Sequence, residues 1–98
     1  MKRLFALIHS RGPAWDPSIP MEGQTDWPAH AAFMDRLVEE GFIVLGGPLE
    51  GSSDVLLILR ASSEQEIEQR LAADVWRKNA LLVPKQCFPW TIRLGSLP

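Results

Sequence analysis

Apolar and polar residues alternate with a period of two at the start of the chain. In RLFALIH, residues 3–9, an extended backbone puts Leu4, Ala6 and Ile8 on one face and Phe5, Leu7 and His9 on the other. The run is too short for an independent helix and ends at Arg11-Gly12-Pro13, so it reads as a buried strand. The period lengthens in TDWPAHAAFMDRLVEEGF, residues 25–42. There Phe33, Met34 and Leu37 recur at spacings of three and four, while Asp35, Arg36, Glu39 and Glu40 take the other side, as in an amphipathic helix. Thr25 or Asp26 is placed to cap the amino end, Pro28 suits a first turn and Gly41 is a stop, which predicts a helix from about Trp27 to Glu40. His30 lies three residues before Phe33 and four before Met34, so its imidazole falls on the apolar stripe.

Two further apolar runs follow closely. FIVLGGPL, closed by Gly46-Gly47-Pro48, reads as a second strand, GSSD as a turn and VLLILRA as a third strand, near enough to pair as a hairpin. Ser62 or Ser63 then caps a second helix, with Glu66 three residues after Ser63 completing a capping box. Ile67, Leu71 and Ala72 form its inward stripe, and Glu64, Glu68 and Arg70 look outward. ADVWRKNALLV reads as a bend with a short helix, and QCFPWTIRL as a last strand in which Pro89 marks an edge or a bulge. Between the first strand and the first helix lies SRGPAWDPSIPMEGQTD, residues 10–26, with three prolines and two glycines. Connections longer than about 12–15 residues in a small domain are often functional loops or lids, and Trp15 and Met21 predict that this one folds back over the body.

The order strand, helix, strand, strand, helix, strand is that of an α+β, ferredoxin-like βαββαβ domain, with a four-stranded antiparallel sheet and both helices on one face. Residues 1–98 make one such domain, without repeats or an interdomain linker. Since the strands are apolar on both sides, the bare sheet face needs a cover, and a second copy is the simplest one: a homodimer joined through its sheet faces. Size agrees, because a chain of 98 residues buries only about 60–65% of its unfolded surface.

Composition narrows the partners. A formal charge of −2 with both signs interspersed leaves no basic face for nucleic acid, and no apolar run approaches the roughly 18 residues of a membrane span. Lys2 and Arg3 precede only Leu4–Ile8 before His9-Ser10-Arg11, which is no signal pattern, so a cytoplasmic protein is expected. Cys87 is the single cysteine and can build neither an intrachain disulfide nor a thiolate metal cluster.

Phosphate loops, paired helical histidines with a glutamate, and Gly-x-Ser-x-Gly are all missing, so the chemistry rests on isolated residues. His30 leads. A polar ring on an apolar stripe costs roughly 1–3 kcal/mol unless it finds a partner. Asp74, in AADVW directly after the second helix, is the best candidate: a carboxylate on one ring nitrogen fixes the tautomer and raises proton affinity, leaving the other nitrogen to move a proton. The alternative is that Asp74 caps the segment starting at Val75 while His30 bonds a backbone carbonyl. His9, Trp15, Ser53 and Trp76 are candidate substrate contacts; Ser52-Ser53-Asp54 is equally a turn sequence, and Trp15, Trp27, Trp76 and Trp90 can line a pocket or pack a core. No metal site and no cofactor is expected.

HAAFMDRLVEEGFIVLGGPL, SSDVLLILRASSEQEIEQRLAADVW and PWTIR together resemble the YCII-related family of dimeric α+β barrel proteins, and LIHSRGPAWDP looks like the opening of one of its subgroups. The resemblance implies a ferredoxin-like subunit paired through its sheets, a pocket between sheet and helices, and a histidine and aspartate pair that falls on His30 and Asp74. The chain departs from the family where Asp-Pro, an aromatic and a later Gly are frequent: it has Asp74-Val75-Trp76 and then Asn79-Ala80. Two functions fit. One is a cofactor-independent lyase or isomerase in which His30 and Asp74 carry general acid/base chemistry on a small organic molecule; the other is a non-catalytic dimeric module that binds a small metabolite or a partner protein. Haem ligation by His9 or His30 is a weaker third reading.

Overall fold

The computed structural model describes all 98 residues. The elements are β1 (Arg3–Arg11), α1 (Trp27–Glu39), β2 (Ile43–Pro48), β3 (Asp54–Ala61), α2 (Glu64–Leu71), α3 (Val75–Lys78) and β4 (Leu82–Pro89), with a 3-10 turn at Met21–Gly23. All strand pairs are antiparallel and the sheet order is β2-β3-β1-β4, the ferredoxin-like arrangement. The two most apolar strands are central, paired from Arg3 opposite Ala61 to Ser10 opposite Asp54. The glycine- and proline-bearing strands β2 and β4 are edges, where a missing N–H costs no ladder bond.

Alternation along the central strands divides the two sheet faces. Phe5 and Leu7 of β1 and Leu57, Leu59 and Ala61 of β3 meet Leu37 of α1 and Ile67 and Leu71 of α2 in one buried cluster, so both helices cover the same face. The opposite face carries Leu4, Ala6, Ile8, Leu56 and Ile58, with Leu45 and Phe88 of the edge strands exposed beside them. A second cluster forms at one end of the sheet: Trp76, Leu81 and Leu82 are buried, and Trp15, Met21, Trp27, Val55 and Val75 pack against them. Trp15 and Met21 come from the 10–26 segment, which folds back as its apolar residues predict.

The helix stop at Gly41 is a left-handed residue, φ 79°, with Phe42 N–H donating to Leu37 O and Gly41 N–H to Val38 O, both at 3.0 Å. Four local expectations are corrected. The last strand starts at Leu82, four residues earlier than its apolar run indicated, and ends at Pro89, five residues earlier, because Leu82 and Val83 pair with Arg11 and Ser10, which also lengthen β1. Asp26 takes the N-cap position of α1 but in a left-handed conformation, φ 62°, and its side chain bonds none of that helix's N–H groups. Ser63 caps α2 and accepts from Glu66 N–H at 3.1 Å, yet the Glu66 carboxylate turns to Ser62 N–H, one residue beyond a capping box. Ala72 points to solvent. No helix is long and apolar enough to cross a membrane.

Candidate functional site

The three helices meet over the β1–β3 end of the sheet and set up the site there. His30 sits in the first turn of α1, its N–H bonded to Asp26 O at 3.0 Å. Asp74 is the N-cap of α3, its own N–H bonded to Leu71 O of α2 at 3.0 Å. The carboxylate has two jobs. Oδ1 accepts from Trp76 N–H at 3.1 Å, capping α3, and Oδ2 and Oδ1 lie 2.8 and 3.0 Å from His30 Nδ1. The two readings of Asp74, cap or histidine partner, are thus both realised by one side chain.

A carboxylate only accepts, so His30 carries a proton on Nδ1, and in the neutral ring the lone pair is then at Nε2. The ring is fixed on its faces too. Trp76 stacks on it with centroids 3.8 Å apart and planes 6° from parallel, and Trp27 lies tilted at 5.9 Å. Trp76 is anchored by its indole N–H, which donates to Thr25 O at 2.7 Å, and meets the edge of Trp15 at 5.4 Å. His30 and Asp74 are 6% and 2% exposed, so this ion-pairing geometry is insulated from water. Asn79 Nδ2 donates to Asp26 Oδ2 at 2.8 Å and ties the end of α3 to the start of α1, holding the helices that carry the pair.

Beside the pair opens a cavity of about 380 Å³, with apolar walls from Trp15, Trp27, Met34, Val55 and Leu57 and polar groups from His9, Arg11, His30 and Arg77. The volume suits a small ring compound. Gly46 lines the floor, where a Cβ would stand 2.4 Å from Leu57 Cδ2; its lack of a side chain lets β2 close against β3. Arg11 lies over the Trp15 ring at 4.7 Å and frames the mouth.

His9 forms the second polar pole. It follows a register shift between β1 and β4 at Ile8/His9, and it is 3% exposed. Its Nε2 accepts from Arg77 Nη1 at 3.0 Å, and Arg77 in turn pairs with Glu68. Burial first, and then the Arg77 charge, push the His9 pKa from its ordinary 6.5 down to about 4. Its Nδ1 is a fully enclosed polar atom with no partner.

Of the residues singled out from sequence, His9, Trp15, His30, Asp74 and Trp76 line one cavity, and Ser53 does not. Ser53 is exposed in the β2–β3 turn, where its carbonyl accepts Arg11 N–H at 2.9 Å; it is a turn residue. Trp76 borders the cavity with one face already taken by His30, so it orients the histidine more than it offers a stacking surface. Trp90 is 40% exposed and only continues the β1–β4 ladder, its N–H donating to Leu4 O. Sequence reasoning missed Arg77. Its signal was its position three residues after Asp74, which on one turn of helix returns it toward the same side. Gln24 was missed as well: 4% exposed, it bonds Asp16 N–H and the carbonyls of Asp16 and Ile19 and organises the loop below Trp15. No three His, Cys, Asp or Glu side chains gather as a metal-holding group.

The fold and the site define a small ferredoxin-like domain with an enclosed histidine and aspartate pair. No family model, curated protein or solved structure matches the chain.

Proposed function

We propose that the protein is an enzyme that moves a proton on a small, flat organic substrate, with His30 as general base and acid and Asp74 as its orienting carboxylate. The observation that carries this reading is the His30–Asp74 contact itself: Nδ1 is held by both carboxylate oxygens, while Nε2 has no partner in the chain and borders the cavity. Such a pair removes a proton from a carbon and returns it elsewhere in the same substrate, which is isomerisation, or expels a leaving group, which is elimination. Neither needs a cofactor. The YCII-related resemblance supports the same pair, and a cytoplasmic setting belongs to the same reading.

The bare sheet face supports a homodimer in this proposal. Leu4, Ala6, Ile8, Leu56 and Ile58 form a continuous apolar strip flanked by exposed Leu45 and Phe88, and a second copy presents an equal strip to it.

The test is solvent-deuterium incorporation into a panel of small cyclic and aromatic carbon acids, wild type against His30→Gln and Asp74→Asn. Both variants should lose at least about 100-fold in exchange rate. The competing reading, a binding module, is favoured by the structural work the pair also does, since Trp76 stacks on His30 and Asp74 caps α3. It predicts no exchange by the wild type and only lowered stability in the variants.

A further inference from the structure

Most of the charged and titratable side chains around the cavity are engaged with one another. Asp74 is 2% exposed, its oxygens on His30 Nδ1 and Trp76 N–H. Arg77 gives one terminal nitrogen to His9 Nε2 and the other to Glu68, and its side chain is 8% exposed. His9 Nδ1 is fully enclosed, so no ligand reaches it. It is the one fully enclosed side-chain nitrogen or oxygen without a partner; His30 Nε2 has no partner in the chain either, and is therefore open to the cavity. A ligand thus meets three polar side-chain groups: His30 Nε2, the Arg11 guanidinium and the Asp35 carboxylate.

Arg11 is the group held in place for a ligand. Alternation along β1 puts it on the inner face with Phe5, Leu7 and His9. Its guanidinium carbon lies 4.7 Å from the Trp15 ring centroid, a contact that sets it against the cavity wall. It enters none of the chain's four ion pairs, and none of its side-chain N–H groups has an acceptor in the chain. Asp35 is exposed on the α1 side, where no hydrogen bond or ion pair fixes it. A guanidinium is a planar set of donors that meets a carboxylate with two parallel N–H···O bonds. One accessible guanidinium, with no lysine in the lining, matches a single negative charge rather than a phosphate dianion. Beside it the walls are flat and aromatic, from Trp15 and Trp27.

We infer that the cavity takes a small planar carboxylate, its charge held by Arg11 and its flat body against Trp15 and Trp27. This names the substrate class of the proposed enzyme and rests on that reading for the reaction: the substrate is a carboxylic acid anion whose C–H meets His30 Nε2. A neutral compound of the same shape gains the apolar walls alone.

The probes are benzoate and its neutral isostere benzamide, added to the whole protein labelled with nitrogen-15 and followed through the indole N–H signals of Trp15 and Trp27. Benzoate should bind about 10-fold more tightly than benzamide, the gain expected for a charge-assisted pair, and should shift both indole signals. Arg11→Gln should erase that preference and leave benzamide binding unchanged. Arg36→Gln removes the same charge from outside the cavity lining and should leave the preference whole. Binding of neither probe, equal binding of the two, a preference that survives Arg11→Gln or is lost equally in Arg36→Gln, or binding that leaves both indoles unmoved overturns the inference. A benzoate preference carried by Arg11 in a protein unable to exchange any carbon acid sustains the carboxylate site and removes His30 as the base. Exchange of neutral carbon acids with no benzoate preference does the reverse.

Discussion

Replacing His9 with Gln removes a titrating ring while leaving an amide oxygen to accept from Arg77, and the pH dependence of stability should change in a defined way. Burial and the Arg77 charge hold His9 neutral down to about 4 in the native state, against an ordinary value of 6.5 for the unfolded chain. Above 6.5 the ring is neutral in both states and contributes nothing to the dependence. As pH falls below 6.5 the unfolded chain takes up the proton first, so stability is lost, and the loss levels off only once the native ring protonates near 4. At 1.36 kcal/mol per pH unit, that interval is worth about 3 kcal/mol. Other groups titrate in the same range, so the quantity to read is the difference between wild type and His9→Gln, from urea unfolding at a series of pH values. The wild type should lose about 3 kcal/mol relative to the variant between about pH 7 and about pH 4. A difference that stays constant across this range would refute the reasoning and place His9 in water or beside an unrecognised acceptor.

Two predictions concern the frame of the fold. Gly12→Ala would put a Cβ 2.2 Å from the Ala80 carbonyl oxygen, a backbone atom that cannot swing aside, and should destabilise the fold by about 1–3 kcal/mol in urea melts; an unchanged midpoint would mean that the link between the end of β1 and the α3–β4 loop is loose. Ile8→Glu puts a charge in the middle of the bare sheet face opposite Leu56, and should convert a dimer to a monomer in sedimentation equilibrium; a wild type already monomeric at all accessible concentrations would sink the dimer proposal.

The fold was legible because its signals are local and repeated. Alternation in β1, the 3.6-residue period in α1 and the Ser63 cap of α2 each follow from a few adjacent residues, and the βαββαβ order leaves few ways to fold. The last strand was misplaced for a physical reason. Pro84 and Pro89 break the pattern of a strand, and only the edge position of β4, a tertiary fact, makes them harmless. Asp26 has a similar history: its type suits an N-cap, but the Asn79 amide takes its carboxylate across the fold.

The site was legible in the residues whose polarity conflicts with their surroundings, and less so in what relieves the conflict. His30 on an apolar stripe demanded a partner, and Asp74, 44 positions later, was identifiable only as a carboxylate at a helix start. Sequence posed cap and partner as alternatives because each seems to use up the carboxyl group; in space the two oxygens serve a backbone N–H on one side and an imidazole on the other. That sharing couples stability to chemistry. Asp74 cannot turn from His30 without uncapping α3, and α3 carries both Trp76, which stacks on His30, and Arg77, which orients His9. A single turn of helix therefore fixes the proton position on both imidazoles, and any change that unwinds it should disturb the two poles of the cavity together.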